Sequence, residues 1–421
     1  MPSTINHDIP YGHIARCQVC GSENLDLVID LGHQPLCDSL LSPQQLHEAE
    51  QTYPLRLVRC KDCSLGQIDY AVRGDVVYHP DYPYRSGITK ELAEYQDALS
   101  AEIIADLGLP TGSLAVDIGS NDGTLLRGFK NRGMRALGVE PTNIARIANQ
   151  NGIETYQSFF TEQLARQMVE ERGHASVVTA TNVFAHMAPL GEVMRGLEVL
   201  LPEGGVFMTE SHYLLEIIRG VQYDSVYHEH LRSYSLKSLV TLLEMYDFTV
   251  VDARQVSRYG GNIRVYATRG KNRKVKDSVS HLLAEEARFG LYSPEVYVAF
   301  REKARKSKDD LLRFAMKAAS RGERLVGNSC PGRCSTLLNY CKVDRDYMPY
   351  IAEQPTSLKL GLYLPGMHIP IVDNKILIEE QPEYVVLLAW HLWKPISQQL
   401  RARGLKSKFV VPLPELHVLD D

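Results

Sequence analysis

No apolar stretch of this chain is long enough to cross a bilayer, and its first residues have neither the basic nor the apolar region of a secretory leader. A cytoplasmic protein with no membrane partner is the expectation. Charge of one sign is also missing. Lys and Arg number 46 against 51 Asp and Glu, a net −5, so nothing draws the whole chain toward nucleic acid. A local basic run, Lys271–Lys276, reads more simply as a solvated loop. The G-x-G-x-x-G pattern of dinucleotide binding does not appear at the main strand-turn-helix joint. No phosphate-loop lysine pattern is present either, which argues against ATP hydrolysis. What remains is ordinary for a soluble protein of 421 residues, with 23% charged and 44% hydrophobic residues, enough for two to three domains.

The strongest positive signal is the run Val116-Asp117-Ile118-Gly119-Ser120-Asn121-Asp122-Gly123-Thr124, followed by a second apolar strand that closes in Glu140. Glycines let a backbone approach a nucleotide-type ligand, and an acid at the end of the next strand can hold a ribose diol. From the first glycine the string reads Gly-Ser-Asn-Asp-Gly. That departure favours S-adenosylmethionine over NAD, and assigns Asp117, Gly119, Asn121, Gly123 and Glu140 to the cofactor.

Eight cysteines in a reducing compartment need a reason other than disulfides. Cys17-x-x-Cys20 and Cys60-x-x-Cys63 are two pairs, each spaced to clamp one side of a tetrahedral metal. Four thiolates suit Zn(II) and leave no open position for a reacting water, so the zinc is expected to be structural. Cys37, Cys330, Cys334 and Cys341 have no matching spacing and read as buried thiols.

Strand and helix patterns alternate from about Val116 through Val206-Phe207-Met208, which predicts a doubly wound parallel sheet. A charged helical segment over Pro294 to Arg321 then leads to a second alternating unit that starts at Arg324-Leu325-Val326-Gly327. The expected fold is α/β: a small zinc-binding lobe at 11–75, a Rossmann-like methyltransferase domain at 76–270 and a second Rossmann-like domain at 271–421.

Three further places carry chemistry. Asn182 and His186 follow a strand of the central sheet and should face the cofactor crevice, although His186 alone reads equally as a packed histidine. Tyr227-His228-Glu229-His230 gathers two imidazoles, a carboxylate and a phenol. Its consecutive histidines lack the i, i+4 spacing of a helical zinc motif, so proton transfer is the better reading. The turn Gly327-Asn328-Ser329-Cys330-Pro331-Gly332-Arg333 opens a helix and reads either as a cradle for an anionic phosphate or as a structural Gly/Pro joint.

Taken together, the paired C-x-x-C motifs, Leu31-Gly32-His33-Gln34-Pro35-Leu36, Asp117–Gly123, Asn182–His186, Tyr227–His230, Thr336-Leu337-Leu338-Asn339-Tyr340 and Tyr363–Pro370 resemble the three-domain nucleotide-sugar C-methyltransferases almost to the C-terminus. The resemblance implies methylation, at C3, of a 4-keto-deoxysugar linked to TDP or GDP. It implies His230 as general base with Tyr227, Glu229, Tyr84 and His186 around the sugar, and Asn328, Ser329 and Arg333 toward the sugar nucleotide. Where the family has a lysine and a glycine, this chain has Arg333 and Cys334. A monomer is expected. C5- or O-methylation of a nucleotide sugar stays open, as does a zinc-ribbon RNA methyltransferase, which the negative charge disfavours.

Overall fold

The computed structural model describes residues 11–77, 87, 90–271 and 273–419. Its centre is a seven-stranded sheet. Leu114–Ile118 is buried along its whole length, as a parallel strand covered on both faces must be, and it is correspondingly an unbroken apolar run apart from Asp117. Parallel neighbours Arg135–Val139 and Val177–Thr181 flank it. Thr155–Tyr156 extends one side and Val206–His212 the other. Asn262–Arg269 then inserts antiparallel between Val206–His212 and the edge strand Phe248–Val256. The chain leaves the first strand in one direction and returns on its other side at Val177–Thr181. That reversal opens a crevice at the carboxyl ends of these two strands, where open α/β sheets bind ligands.

The N-terminal lobe is a four-stranded sheet, and one of its strands comes from elsewhere in the chain. Leu25–Gln34, Tyr53–Cys60 and Gly66–Ile68 pair antiparallel, and the two-residue strand Arg232–Ser233 of the central domain completes the sheet against Gly66–Ile68. A small lobe cannot bury much apolar surface by itself. Here Val28, Ile29, Leu55, Leu57, Leu65 and Ile68 belong to one hydrophobic cluster that continues into the central and C-terminal domains.

The charged segment is a helix, Glu295–Ser320, whose buried positions Tyr297, Phe300, Ala304, Ser307, Leu311, Ala315 and Ala318 recur at three- and four-residue steps along one face. Its Arg301 donates to the carbonyls of Val28 and Leu27 in the lobe. The C-terminal sheet follows in the order Ile371–Asp373, Ile351–Glu353, Leu325–Asn328, Tyr384–Leu387, Lys408–Val411, His417–Val418, with all but the last strand parallel. This is the doubly wound arrangement, with its own reversal beside Leu325–Asn328. No helix among the described residues is long and apolar enough to cross a membrane.

A buried ion pair joins the central and C-terminal domains. Arg333 grips Asp224 with Nε and Nη2, each at 2.8 Å, and the Trp390 indole N–H donates to the same carboxylate at 2.7 Å. The arginine is 6% and the aspartate 0% exposed, so neither charge has water as a fallback. Removing one partner of such a pair strands the other. Asp224→Ala should therefore lower the free energy of unfolding by about 3–5 kcal/mol, by analogy with other broken buried pairs. Urea denaturation checks this, and an unshifted midpoint would show that the pair does not hold the domains together.

Candidate active site

Backbone geometry at the carboxyl end of Leu114–Ile118 shapes the candidate cofactor crevice. Gly119 and Gly123 have φ of 69° and 76°, and Asn121 has φ of 51°. A Cβ on Gly119 would sit 2.6 Å from a Val183 methyl, and one on Gly123 would sit 2.9 Å from Ile153. Both positions thus need glycine for conformation and for space. Glu140 closes the turn from the next strand, accepting from Asn121 N at 3.0 Å and from the backbone and hydroxyl of Thr142 at 2.9 and 2.7 Å. Asp117 lies beneath, accepting from the Thr179 hydroxyl at 2.6 Å, and burial, with help from Glu140, pushes its pKa up to about 7. Gly87 N donates to Asp122 of the glycine turn at 2.9 Å. Asn182, at φ 56°, completes the opposite lip. Its backbone donates to Glu210 O at 2.7 Å, and its side-chain oxygen accepts from Asn262 at 3.0 Å.

Beside this lip, imidazoles gather. His230 stands with its ring centroid 4.8 Å from His186, 4.6 Å from His212 and 3.8 Å from Tyr227. Its Nδ1 lies 2.7 Å from Ser225 O, which can only accept. Nδ1 therefore carries the proton, and Nε2 of the neutral ring keeps its lone pair. Burial, then His212 and Arg333, hold the His230 pKa well below the ordinary histidine value. His186 is held down in the same way by burial, His230 and Arg232. Burial raises the Tyr227 hydroxyl well above its usual range, with Cys37, Glu229 and Asp38 adding to the effect. Glu229 itself turns toward the lobe, where the Cys37 thiol approaches its Oε1 at 3.5 Å. Tyr84 lies outside the described residues.

The C-terminal turn is built differently from a cradle open to a ligand. All five N–H groups of Arg333 are engaged: two on Asp224, one on Gln222, one on Tyr259 O and one facing His391 Nδ1. A Cβ on Gly327 would meet Leu388 at 2.9 Å and one on Gly332 would meet Asp38 at 3.1 Å, so these glycines serve close packing. Asn328 and Ser329 remain at the strand end, the latter with φ of 67°.

The four predicted metal ligands converge. Cys17 and Cys63 Sγ are 3.5 Å apart, as are Cys20 and Cys60, and all four sulfurs lie within 4.8 Å of one another. A tetrahedron with Zn–S bonds of about 2.3 Å has edges of roughly 3.8 Å, so the set fits zinc and leaves no place for water.

Two residues near His230 are unremarkable in the sequence. His212 ends the strand Val206–His212, and its Nδ1 is buried with no hydrogen-bond partner among the described residues. His391 sits beyond Tyr259, with ring centroids 6.4 Å apart. The one signal that points to His212 is its place at a carboxyl strand end, the same rule that selects Asn182 and His186.

Comparison with known proteins agrees with this layout. A family model for a zinc binding domain matches residues 17–78, one for a methyltransferase domain matches 92–253, and one for a C-methyltransferase C-terminal domain matches 257–414. The C-methyltransferase NovU of Streptomyces niveus is 30% identical over 411 residues, covering 96% of this chain and 97% of that protein. Among solved structures, the Burkholderia thailandensis 1,6-didemethyltoxoflavin-N1-methyltransferase with bound S-adenosylhomocysteine is 20% identical, covers 49% of this chain and 96% of its own, and has a TM-score of 0.36. The Synechocystis magnesium protoporphyrin IX methyltransferase with bound S-adenosylmethionine is 16% identical over 42% of this chain and 79% of its own, with a TM-score of 0.32.

The neutral imidazoles make stability depend on pH. Burial, then Arg333, lowers both His212 and His391 to about 3, so the unfolded chain binds more protons than the folded one between there and the ordinary histidine value. Their contribution is complete above about pH 6.5 and is lost as the pH falls toward about 3. We expect the unfolding free energy to decline below about pH 6.5 by up to about 1.4 kcal/mol per pH unit for each such histidine. Urea titrations at a series of pH values read this directly, and a flat profile between about pH 7 and 5 would contradict neutral burial.

Proposed function

The chain belongs to the S-adenosylmethionine-dependent C-methyltransferases with a zinc-binding domain, and from that premise we propose that its acceptor is C3 of a 4-keto-deoxysugar carried on TDP or GDP. The observation that carries this reading is the His230 tautomer. A sugar carbon becomes a nucleophile only when a proton beside a ketone is removed, and that needs a neutral base with a bare nitrogen. His230 offers one, because Ser225 O fixes the proton on Nδ1 and burial keeps the ring uncharged.

In this reading Nε2 takes the C3 proton, and the bonding pair moves into the C3–C4–O4 system as an enolate. S-adenosylmethionine, when bound, would supply an electrophilic methyl group: the C3–CH3 bond forms as the methyl–sulfonium bond breaks, its electron pair returns to sulfur and S-adenosylhomocysteine leaves. Tyr227, kept protonated by burial and by Cys37, Glu229 and Asp38, donates to the developing oxyanion; His186 and Tyr84 are the further donors. Donors of this kind are worth roughly 3–4 kcal/mol in the best-studied oxyanion sites. Glu229 then acts through Tyr227 rather than on the base. Asp117, Gly119, Asn121, Gly123, Glu140 and Asn182 hold the cofactor. Asn328 and Ser329 meet the sugar nucleotide, while Arg333 shapes their turn from behind through Asp224.

The test is mass spectrometry of the protein incubated with S-adenosylmethionine and TDP- or GDP-linked 4-keto-6-deoxysugars. A product heavier by one methylene, with the methyl on C3, is expected. His230→Asn should reduce turnover by roughly 10²–10⁴-fold, the usual worth of a general base, with cofactor binding by calorimetry unchanged. Near-normal turnover by that variant would remove His230 from the role, and methylation at C5 or oxygen would redirect the chemistry.

A further inference from the structure

Among the described residues four arginines are buried, and three have a carboxylate: Arg59 pairs with Asp26, Arg264 with Glu210 and Arg333 with Asp224. The fourth is Arg232, 1% exposed, and no carboxylate among the described residues lies within ion-pair distance of it. Its Nη1 donates to Met187 O at 2.7 Å and its Nη2 to Ala188 O at 3.4 Å, while Nε has no partner. Carbonyls satisfy hydrogen bonds but do not neutralise a charge, and a buried cation without a counter-charge is costly.

The zinc site is a source of negative charge on the same sheet. Four deprotonated cysteines around one Zn(II) leave an excess of negative charge, and these ligands are themselves largely buried. Arg232 stands directly across the lobe's sheet from Gln67. The Gln67 side chain accepts from Gln18 N at 2.8 Å and donates to Arg16 O at 3.0 Å, both beside Cys17. Gln18 in turn donates to Leu231 O at 3.4 Å. The metal knuckle and the arginine's strand are therefore hydrogen-bonded to one another. Burial lowers the Arg232 pKa, and the Tyr234 hydroxyl and then, more weakly, Cys17 act against that.

We propose that Arg232 is the buried counter-cation of the zinc–tetrathiolate centre, and that through it the metal holds the His186 loop against the His230 site. Arg232 is a positioning residue, since it touches Met187 and Ala188 rather than a reacting atom. The inference rests on the zinc site and not on the identity of the sugar.

Two variants separate charge from geometry. Arg232→Met removes the charge and keeps much of the volume. Zinc capture by the chelator 4-(2-pyridylazo)resorcinol should then show affinity weakened by roughly 10–100-fold, the usual effect of losing an outer partner of a metal site. Arg232→Lys restores the charge but cannot hold two carbonyls with a planar fork. It should return zinc affinity to near the wild-type value while kcat stays low and KM for S-adenosylmethionine moves little. A folded Arg232→Met protein that keeps wild-type zinc affinity overturns the proposal. Should that variant not fold, hydrogen exchange of the wild-type protein decides. Chelation of zinc should speed exchange at Val183–Leu190 while the strand Arg135–Val139 keeps its protection, and unchanged exchange at Val183–Leu190 overturns the inference as well.

Discussion

The segment from Asp224 to Arg232 is fastened at its two ends to two different domains, and the site depends on that. At one end Asp224 is gripped by Arg333 and Trp390 of the C-terminal unit. At the other, Arg232 and Ser233 become a strand of the zinc lobe, and Ile68 N donates to Leu231 O just before it. Between these fixed points the chain turns tightly enough for Ser225 O to receive the Nδ1 proton of His230, five residues on. The imidazole is oriented by its own loop, and the loop is oriented by the flanking domains. A lobe whose metal is closed to water thereby holds one end of the segment that carries His230, the proposed base.

The burial that keeps His230 neutral, as the proposed base requires, has a cost elsewhere. A base must be uncharged at working pH, and burial achieves this by making the protonated ring unfavourable. His186 and His212 share the environment and are uncharged for the same reason. The nearby guanidinium of Arg333 reinforces the effect on His230, His212 and His391, although its own charge is matched by Asp224. Sensitivity to acid and the presence of an unprotonated Nε2 on His230 are therefore two consequences of one packing arrangement.

Signals confined to one stretch of chain were legible in the sequence. The Asp117–Gly123 turn and Glu140 sit in adjacent strands with fixed spacing, the cysteine pairs have metal-ligand spacing, and Tyr227–His230 is conspicuous by composition. Contacts between distant residues were not. Arg333 and Asp224 are 109 positions apart, so the sequence alone could not choose between a phosphate cradle and a structural joint at the turn around Arg333, whose guanidinium is engaged in joining domains. The lobe's fourth strand has two residues and no strand pattern to announce it. His212 and His391 become neighbours of the site only when two sheets are laid side by side. Periodicity reports which face of an element is buried, and does not report what that face meets.

The two Rossmann-like units solve one local problem alike and then diverge. In each, a glutamate at the end of the second strand accepts an N–H from the turn after the first: Asn121 N to Glu140 at 3.0 Å, and Cys330 N to Glu353 at 2.8 Å. In each, the turn contains a non-glycine residue at positive φ, Asn121 or Ser329. The difference lies in what the glycines face. Gly119 and Gly123 make room within the central domain, against Val183 and Ile153, and so keep the crevice of that domain open. Gly332 makes room for Asp38 of the lobe, and Arg333 next to it reaches into the central domain. The second turn has thus become a joint to which all three parts of the chain are fitted. A ligand at its strand end would meet Asn328 and Ser329 on a frame held rigid by contacts that the first turn does not make.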